Sequence, residues 1–198
     1  MVSTLSGCLF SSDAPTRYFL IDYVADGEGA PGPVPADLEP DPAEALFDAA
    51  LIVEDPTVAP LYDRRQIVQR PEAPEVLLLT RDLWVVGPSD AVRDALYDRI
   101  RRENLFRQVG RTVRGVRDPY LVQTYIDVLE YRCCSGPPVA IFDIEMLLVD
   151  SQGKVVARTR SATEDEISES VTEFVVTVNR RLSRAIDRFV AEIEAASP

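Results

Sequence analysis

The sequence predicts an α/β fold: a single domain with a mixed β-sheet of about five to six strands, packed by two long helices. Three observations carry this expectation. From Val171 to Ile193, Phe174, Val178, Leu182, Ile186 and Phe189 recur at helical spacing, an apolar stripe six turns long. From Val139 to Val149, Ala140, Phe142, Ile144, Met146 and Leu148 point one way while Asp143 and Glu145 point the other, the period of a strand. The 198 residues, 46% hydrophobic, suffice for one ordinary core, and no internal repeat divides them.

Taken in order, Arg17 to Val24 is aromatic and β-branched and reads as a strand. Ala25 to Pro42 holds five prolines and three glycines and reads as an acidic loop or insertion. Leu51 to Glu54 resumes an extended pattern, which Pro56 and Pro60 confine to a short or edge strand. Gln66 to Arg70 and Glu75 to Leu79 form two strands, with Pro71 and Pro74 in the turn between them.

Pro88-Ser89 opens the first helix, with Ser89 as N-cap and Asp90 at the positive end of the helix dipole. Val92, Leu96 and Ile100 set its apolar face through about Glu103, and Leu105-Phe106 packs the exit. Tyr120 to Tyr131 is a long extended run, buried on both faces over part of its length. Val139 to Val149 and Lys154 to Ala162 make a hairpin around Asp150-Ser151-Gln152-Gly153, where Gly153 is free to take positive φ. The C-terminal stripe is expected to pack on the sheet; a lipid-binding stripe is the competing reading.

Charge narrows the function classes. A net charge of −12 and a pI near 4.5 exclude a general nucleic-acid binder, which needs a basic footprint. The distribution is uneven: Ala25 to Asp55 holds nine acids and no Lys or Arg, whereas Arg99 to Arg117 holds seven arginines and one acid. The arginine stretch reads first as a solvated helix face running into a strand, and second as a face for anionic headgroups or an acidic partner.

Chemistry-bearing motifs are scarce. Without histidine there is no Ser-His-Asp or Cys-His arrangement, and G-x-S-x-G, the P-loop and G-x-G-x-x-G are missing. A carboxylate pair distant in sequence stays open as a glycosidase-type arrangement. The expectation is a non-enzyme with no cofactor and no metal. Cys133 and Cys134 are adjacent; a bridge between neighbours is rare, so packing at a strand end is expected, with pairing as the lesser reading.

The remaining cysteine, Cys8, closes Leu5-Ser6-Gly7-Cys8, which reads as a lipobox: small residues before a cysteine that takes acyl chains after cleavage. The polar stretch Ser11-Ser12-Asp13-Ala14-Pro15 suits a tether. The competing reading is an incidental cysteine in a disordered start. Only five residues precede Ser6, without Lys or Arg, so the signal is read as truncated: either the start codon lies upstream or the sequence has been trimmed. No run approaches the ~18 apolar residues of a membrane span, so any attachment would go through Cys8.

Three segments then stand in a telling order: Cys8, the strand Arg17-Tyr18-Phe19-Leu20-Ile21-Asp22, and Leu61-Tyr62-Asp63-Arg64-Arg65-Gln66-Ile67-Val68-Gln69-Arg70. With Trp84 before the first helix, Leu105-Phe106 at its end, a late hairpin and a long C-terminal helix, the chain resembles the auxiliary lipoproteins of ABC-type transport systems, the PqiC-like family. The segment from Asp63 to Arg70 is the most specific part. Arg65 stands where the family usually has Pro, and the acidic loop is longer than expected.

The resemblance implies residues 1–16 as truncated signal, lipobox and tether, and residues 17–196 as the auxiliary lipoprotein domain. It implies a non-catalytic component of an ABC/MCE-type intermembrane lipid transport system. Its partners would be an MCE-domain protein and an inner-membrane permease–ATPase pair or integral protein. It would sit on the periplasmic face of the outer membrane, held through Cys8, and Leu9 after Cys8 fits outer-membrane sorting. Asp63, Arg64 and Arg70 are candidate partner-interface residues, with a structural role as the alternative. A homo-oligomer is expected. The runner-up functions are a periplasmic carrier of an apolar ligand such as lipid, and an envelope-assembly lipoprotein.

Overall fold

A computed structural model describes residues 15–24, 42–112, 117–134 and 136–197. The lipobox, Cys8 and most of the acidic loop therefore lie outside the described residues. Nine strands and two long helices follow in order: β1 (Arg17–Phe19), β2 (Phe47–Val53), β3 (Thr57–Val58), β4 (Gln66–Arg70), β5 (Leu77–Trp84), α1 (Pro88–Arg102), β6 (Phe106–Gly110), β7 (Tyr120–Arg132), β8 (Val139–Val149), β9 (Val155–Glu166) and α2 (Val171–Ala195).

The α/β class and the two packed helices are as the sequence predicts, but the sheet has nine strands among the described residues, not five or six. The extra strands are short. β3 has two residues, and β6 begins at the Phe106 that the sequence suggests only packs the helix exit. Segments this brief give no alternation to read; they become strands because a long neighbour offers them a ladder.

That neighbour is β7, 13 residues long. One edge pairs antiparallel with β8 along its length, from Leu121↔Val149 to Arg132↔Val139. The other edge takes three short strands in turn, all parallel: β2 at Leu51↔Tyr120, β3 at Thr57↔Tyr125 and β4 at Gln69↔Tyr131. β6 extends the sheet from β2, and β5 then β1 extend it from β4. β9 pairs with β8 and closes the far side as an edge strand. The β8–β9 hairpin turns where expected, with Gly153 at φ 79°.

Both helices cover one face of this sheet. Phe174, Leu182, Ala185, Ile186, Phe189 and Ile193 of α2 are fully buried, so the stripe packs on the sheet. α1 buries Val92, Leu96 and Ile100 as its spacing predicts. Its N-cap, however, is Gly87 rather than Ser89. Pro88 occupies the first helical position, where a missing N–H costs nothing. Ser89 instead donates its hydroxyl to the Pro56 carbonyl (3.1 Å), tying the helix start to the loop before β3.

Aromatic rings pin the two wings of the sheet. Phe47 of β2 stacks on Phe106 of β6 at 4.7 Å, with Tyr120 of β7 against both. At the other wing, Trp84 of β5 and Tyr131 of β7 flank Phe174 of α2 at 6.1 and 5.9 Å. The helices meet through polar groups: Tyr23 donates its hydroxyl to Asp187 (2.8 Å), and Arg99 reaches the same carboxylate (3.2 Å).

Cys133 and Cys134 differ from expectation. Cys133 is buried at the end of β7, as strand-end packing requires, but the two are joined in a disulfide between neighbours. The argument against pairing holds for an extended backbone, whereas Cys134 takes φ 79° as the chain leaves the strand.

Candidate functional site

The segment from Leu61 to Arg70 begins as a turn and ends as β4. Tyr62 and Asp63 donate their backbone amides to the Ala59 carbonyl (2.8 and 3.3 Å), which reverses the chain after β3. This places Asp63 in solvent and turns Tyr62 inward, where it is 6% exposed.

Tyr62 reaches an acid from a distant part of the chain. Its hydroxyl donates to Oε2 of Glu130 (2.8 Å), on β7. Arg70, at the end of β4, donates its Nε to the same carboxylate at 3.0 and 3.2 Å. Arg132 adds a third donor from β7 itself, Nη2 to Oε1 at 3.0 Å. The ladder explains the convergence, because Arg70 is paired in register with Arg132, two residues along the strand from Glu130.

The Glu130 side chain is only 3% exposed. Burial works to raise its carboxyl, but hydrogen bonds from Tyr62, Arg70 and Arg132 outweigh burial and hold it below the usual glutamate range. The Tyr62 phenol moves up, from burial first and then from donating to the carboxylate. A permanently ionised, triply bonded carboxylate is a poor general acid. What the cluster does is fasten the Tyr62-to-Arg70 segment to the middle of the sheet.

The other candidate residues sit outside this cluster. Arg64 is half-buried at the turn and donates Nη2 to the Pro60 carbonyl (3.0 Å), while its Nε is buried without an acceptor. Arg65 donates to the Trp84 carbonyl (3.1 Å) and lies over the Tyr18 ring at 5.8 Å, joining the turn to β5 and β1. The structure thus brings Arg70 together with Tyr62 and leaves Asp63 and Arg64 on the surface.

Sequence reasoning missed Glu130 and Arg132. One signal was present: an acid between Leu129 and Tyr131, in a run expected to be buried on both faces, requires a cationic partner. Which arginine supplies it is invisible without the pairing of β4 and β7. Among the described residues no group of three or more His, Cys, Asp or Glu is placed to hold a metal ion, and no helix is long and apolar enough to cross a membrane.

Comparison with known proteins gives this geometry a context. The family model described as the ABC-type transport auxiliary lipoprotein component matches residues 33–194. No match is found among curated proteins. Among solved structures, protein XCC0632 from Xanthomonas campestris is similar at a TM-score of 0.63 and 18% identity, over 79% of this chain and 90% of that one. A second crystal structure, of an uncharacterized protein, is similar at 0.65 and 14% identity, over 90% of this chain and 99% of that one. The PelC dodecamer from Paraburkholderia phytofirmans is more distant, at 0.42 and 13% identity over 78% of this chain and 92% of that one. The match spans both helices and all but the first strand, and so covers the Tyr62–Glu130–Arg70 cluster: the chain belongs to the ABC-type transport auxiliary lipoprotein family.

Proposed function

We propose that this protein is a non-catalytic lipoprotein component of an ABC/MCE-type intermembrane lipid transport system. It is anchored through acylated Cys8 on the periplasmic face of the outer membrane and docks the end of the lipid conduit there. The observation that carries the reading is family membership over residues 33–194, in a chain whose Cys8 closes a lipobox. Two or more acyl chains, each buried CH₂ contributing about 0.8 kcal/mol, make such attachment lasting. The eight residues from Leu9 to Thr16 hold the domain within ~30 Å of the membrane at ~3.3–3.6 Å each.

The partners in this reading are an MCE-domain protein and, across the periplasm, a permease–ATPase pair or integral inner-membrane protein. The turn carrying Asp63 and Arg64, with Arg70 behind it, is proposed to face that partner or a neighbouring copy of the chain. A ring of copies is proposed to form the docking collar. A filled core supports docking over carriage of an apolar ligand: Phe174, Leu182, Ile186 and Phe189 are each 0% exposed between α2 and the sheet.

The test uses the full chain with a complete signal. Wild type is expected to incorporate labelled palmitate, fractionate with the outer membrane and retain an MCE-domain partner in pull-downs. Cys8→Ser is expected to lose the label and the membrane fraction. A Cys8→Ser protein that still pellets with the outer membrane, beside an unlabelled wild type, refutes the anchor.

A further inference from the structure

Along the open edge of β9, a cleft of about 570 Å³ separates the strand from α2. Arg160, Ser161 and Thr163 line it from the strand, and Arg181, Arg184, Asp187 and Arg188 from the helix. Three arginines from one helix along one cleft is an unexpected concentration in a chain of net charge −12. The helix supplies three because positions 181, 184 and 188 fall on one side of it, flanking the buried stripe.

The charges are not equally committed. Arg160 is held by Asp143 (2.8 and 3.3 Å), and Arg181 is paired with Asp165. The one acid in the lining, Asp187, is already engaged by Tyr23 and Arg99. Among the described residues Arg184 pairs with no carboxylate, and the contact given for Arg188 is to a backbone carbonyl, that of Arg184 (3.4 Å). Two positive charges are thus uncompensated, beside the Arg181 guanidinium that Asp165 holds in place, while the Arg160 guanidinium turns to Asp143 on the other face of the sheet.

Ser161 also lines the cleft and is 5% exposed. β9 is also paired on one side only, which leaves backbone amides along its outer edge.

We propose that this cleft binds a phosphate group carrying an organic substituent, the phosphodiester of a glycerophospholipid headgroup. Guanidinium forks match phosphate oxygens in geometry and charge, and two uncompensated arginines more than offset the single negative charge of a phosphodiester. The volume falls within the roughly 300–1,000 Å³ of small-ligand pockets, so a bare phosphate leaves most of it empty while a glycerol-phosphate headgroup fills more. The lining is polar and the cleft open, which suits a headgroup and leaves acyl chains outside. The inference rests on the lipid-transport reading only for the source of the phosphate.

The experiment is calorimetric titration of the full chain, at low ionic strength because exposed charges are screened by salt. The probes are monomeric dihexanoyl phosphatidylglycerol, sn-glycerol 3-phosphate and inorganic phosphate. Dihexanoyl phosphatidylglycerol is expected to bind saturably, and at least tenfold more weakly to Arg184→Gln/Arg188→Gln. Both arginines are exposed, so the variant should fold, and its thermal melt checks this. The control, Arg107→Gln/Arg158→Gln, removes the same charge from elsewhere on the surface and should bind as wild type. Equal weakening of the control, an unaffected double variant, or no binding by wild type overturns the site. Inorganic phosphate binding as tightly as the lipid keeps a phosphate site but overturns its assignment to a headgroup. None of these readouts needs the MCE partner, so a failed pull-down and a failed titration refute different statements.

Discussion

Glu130 is a charge committed to the interior, and part of the acid dependence of stability should follow the protonation of its carboxyl. Its folded pKa lies below the ordinary glutamate value, because hydrogen bonds from Tyr62, Arg70 and Arg132 outweigh the burial that works to raise it. A depressed pKa contributes stability that is fully present above the unfolded value and is lost as pH falls through the folded one. Denaturant melts should therefore weaken below the ordinary glutamate range, about pH 4.3 in unfolded chains. Glu130→Gln should flatten part of that dependence and lower stability at neutral pH by about 3 kcal/mol. That is the lower end for breaking a buried ion pair, because Arg70 and Arg132 keep some access to water. An unchanged acid limb in the variant would remove Glu130 from this role. Arg70 and Arg64 separate in the same way. Arg70→Ala should lower the melting temperature, since it strips a donor from a buried carboxylate. Arg64→Ala should melt close to wild type yet lose the MCE partner in a pull-down. Retained binding by a folded Arg64→Ala protein counts against the proposed interface.

At the scale of elements, α2 carries the largest apolar investment, and its sequence pattern and its packing agree. Phe174 sits between Trp84 and Tyr131, and Phe189 lies two turns below Leu182 on the same stripe. Either Phe→Ala change should cost about 3–5 kcal/mol, from lost transfer energy plus a cavity that close-packed neighbours do not fill. A loss below about 1 kcal/mol in denaturant melts would place the stripe against a partner instead. α1 shows how a local pattern gives the right element with the wrong detail. Its apolar spacing is legible, but Pro88 takes the first helical position and makes Gly87 the N-cap, while the Ser89 hydroxyl goes to Pro56, a partner that only the fold fixes. The same helix buries Arg93, at 7% exposure, by surrounding it with Asp55, Asp90 and Asp94. Asp55 comes from the loop before β3, so this pairing too is invisible in the helix's own residues.

For the whole molecule, the proposed ring requires that copies of the domain meet. The charge segregation remains part of the argument for a ring, because opposite charges across an interface steer register. Part of the arginine stretch is already committed within the chain: Arg99 reaches Asp187 and Glu103, Arg107 pairs with Asp48, and Arg111 with Asp94. Head-to-tail interfaces close into rings when the rotation permits, and that is the arrangement expected here. Light scattering across protein concentration, at low and high salt, should show a mass above the monomer that falls as salt rises. A strictly monomeric mass at high concentration and low salt would rule out self-assembly and leave assembly on the partner.

The sequence by itself determined the two helices, the long strands and the late hairpin. Each is long enough for apolar periodicity to outvote local propensity, as Phe142, Ile144 and Met146 do in β8 or Phe174 and Phe189 in α2. It also contained the segment from Leu61 to Arg70, half of what proved to be a buried polar cluster. Tertiary structure alone decided the rest. β3 and β6 are too short to show a pattern and become strands only because β7 and β2 offer them partners. The Cys133–Cys134 bridge goes with a positive φ at Cys134 that composition does not reveal. Glu130 finds Tyr62 and Arg70 across 68 and 60 positions of chain, and the cleft beside β9 collects arginines from a strand and a helix. Periodicity is a local property and can be read along the chain. A hydrogen bond or ion pair between distant residues exists only once the sheet register has chosen which residues meet.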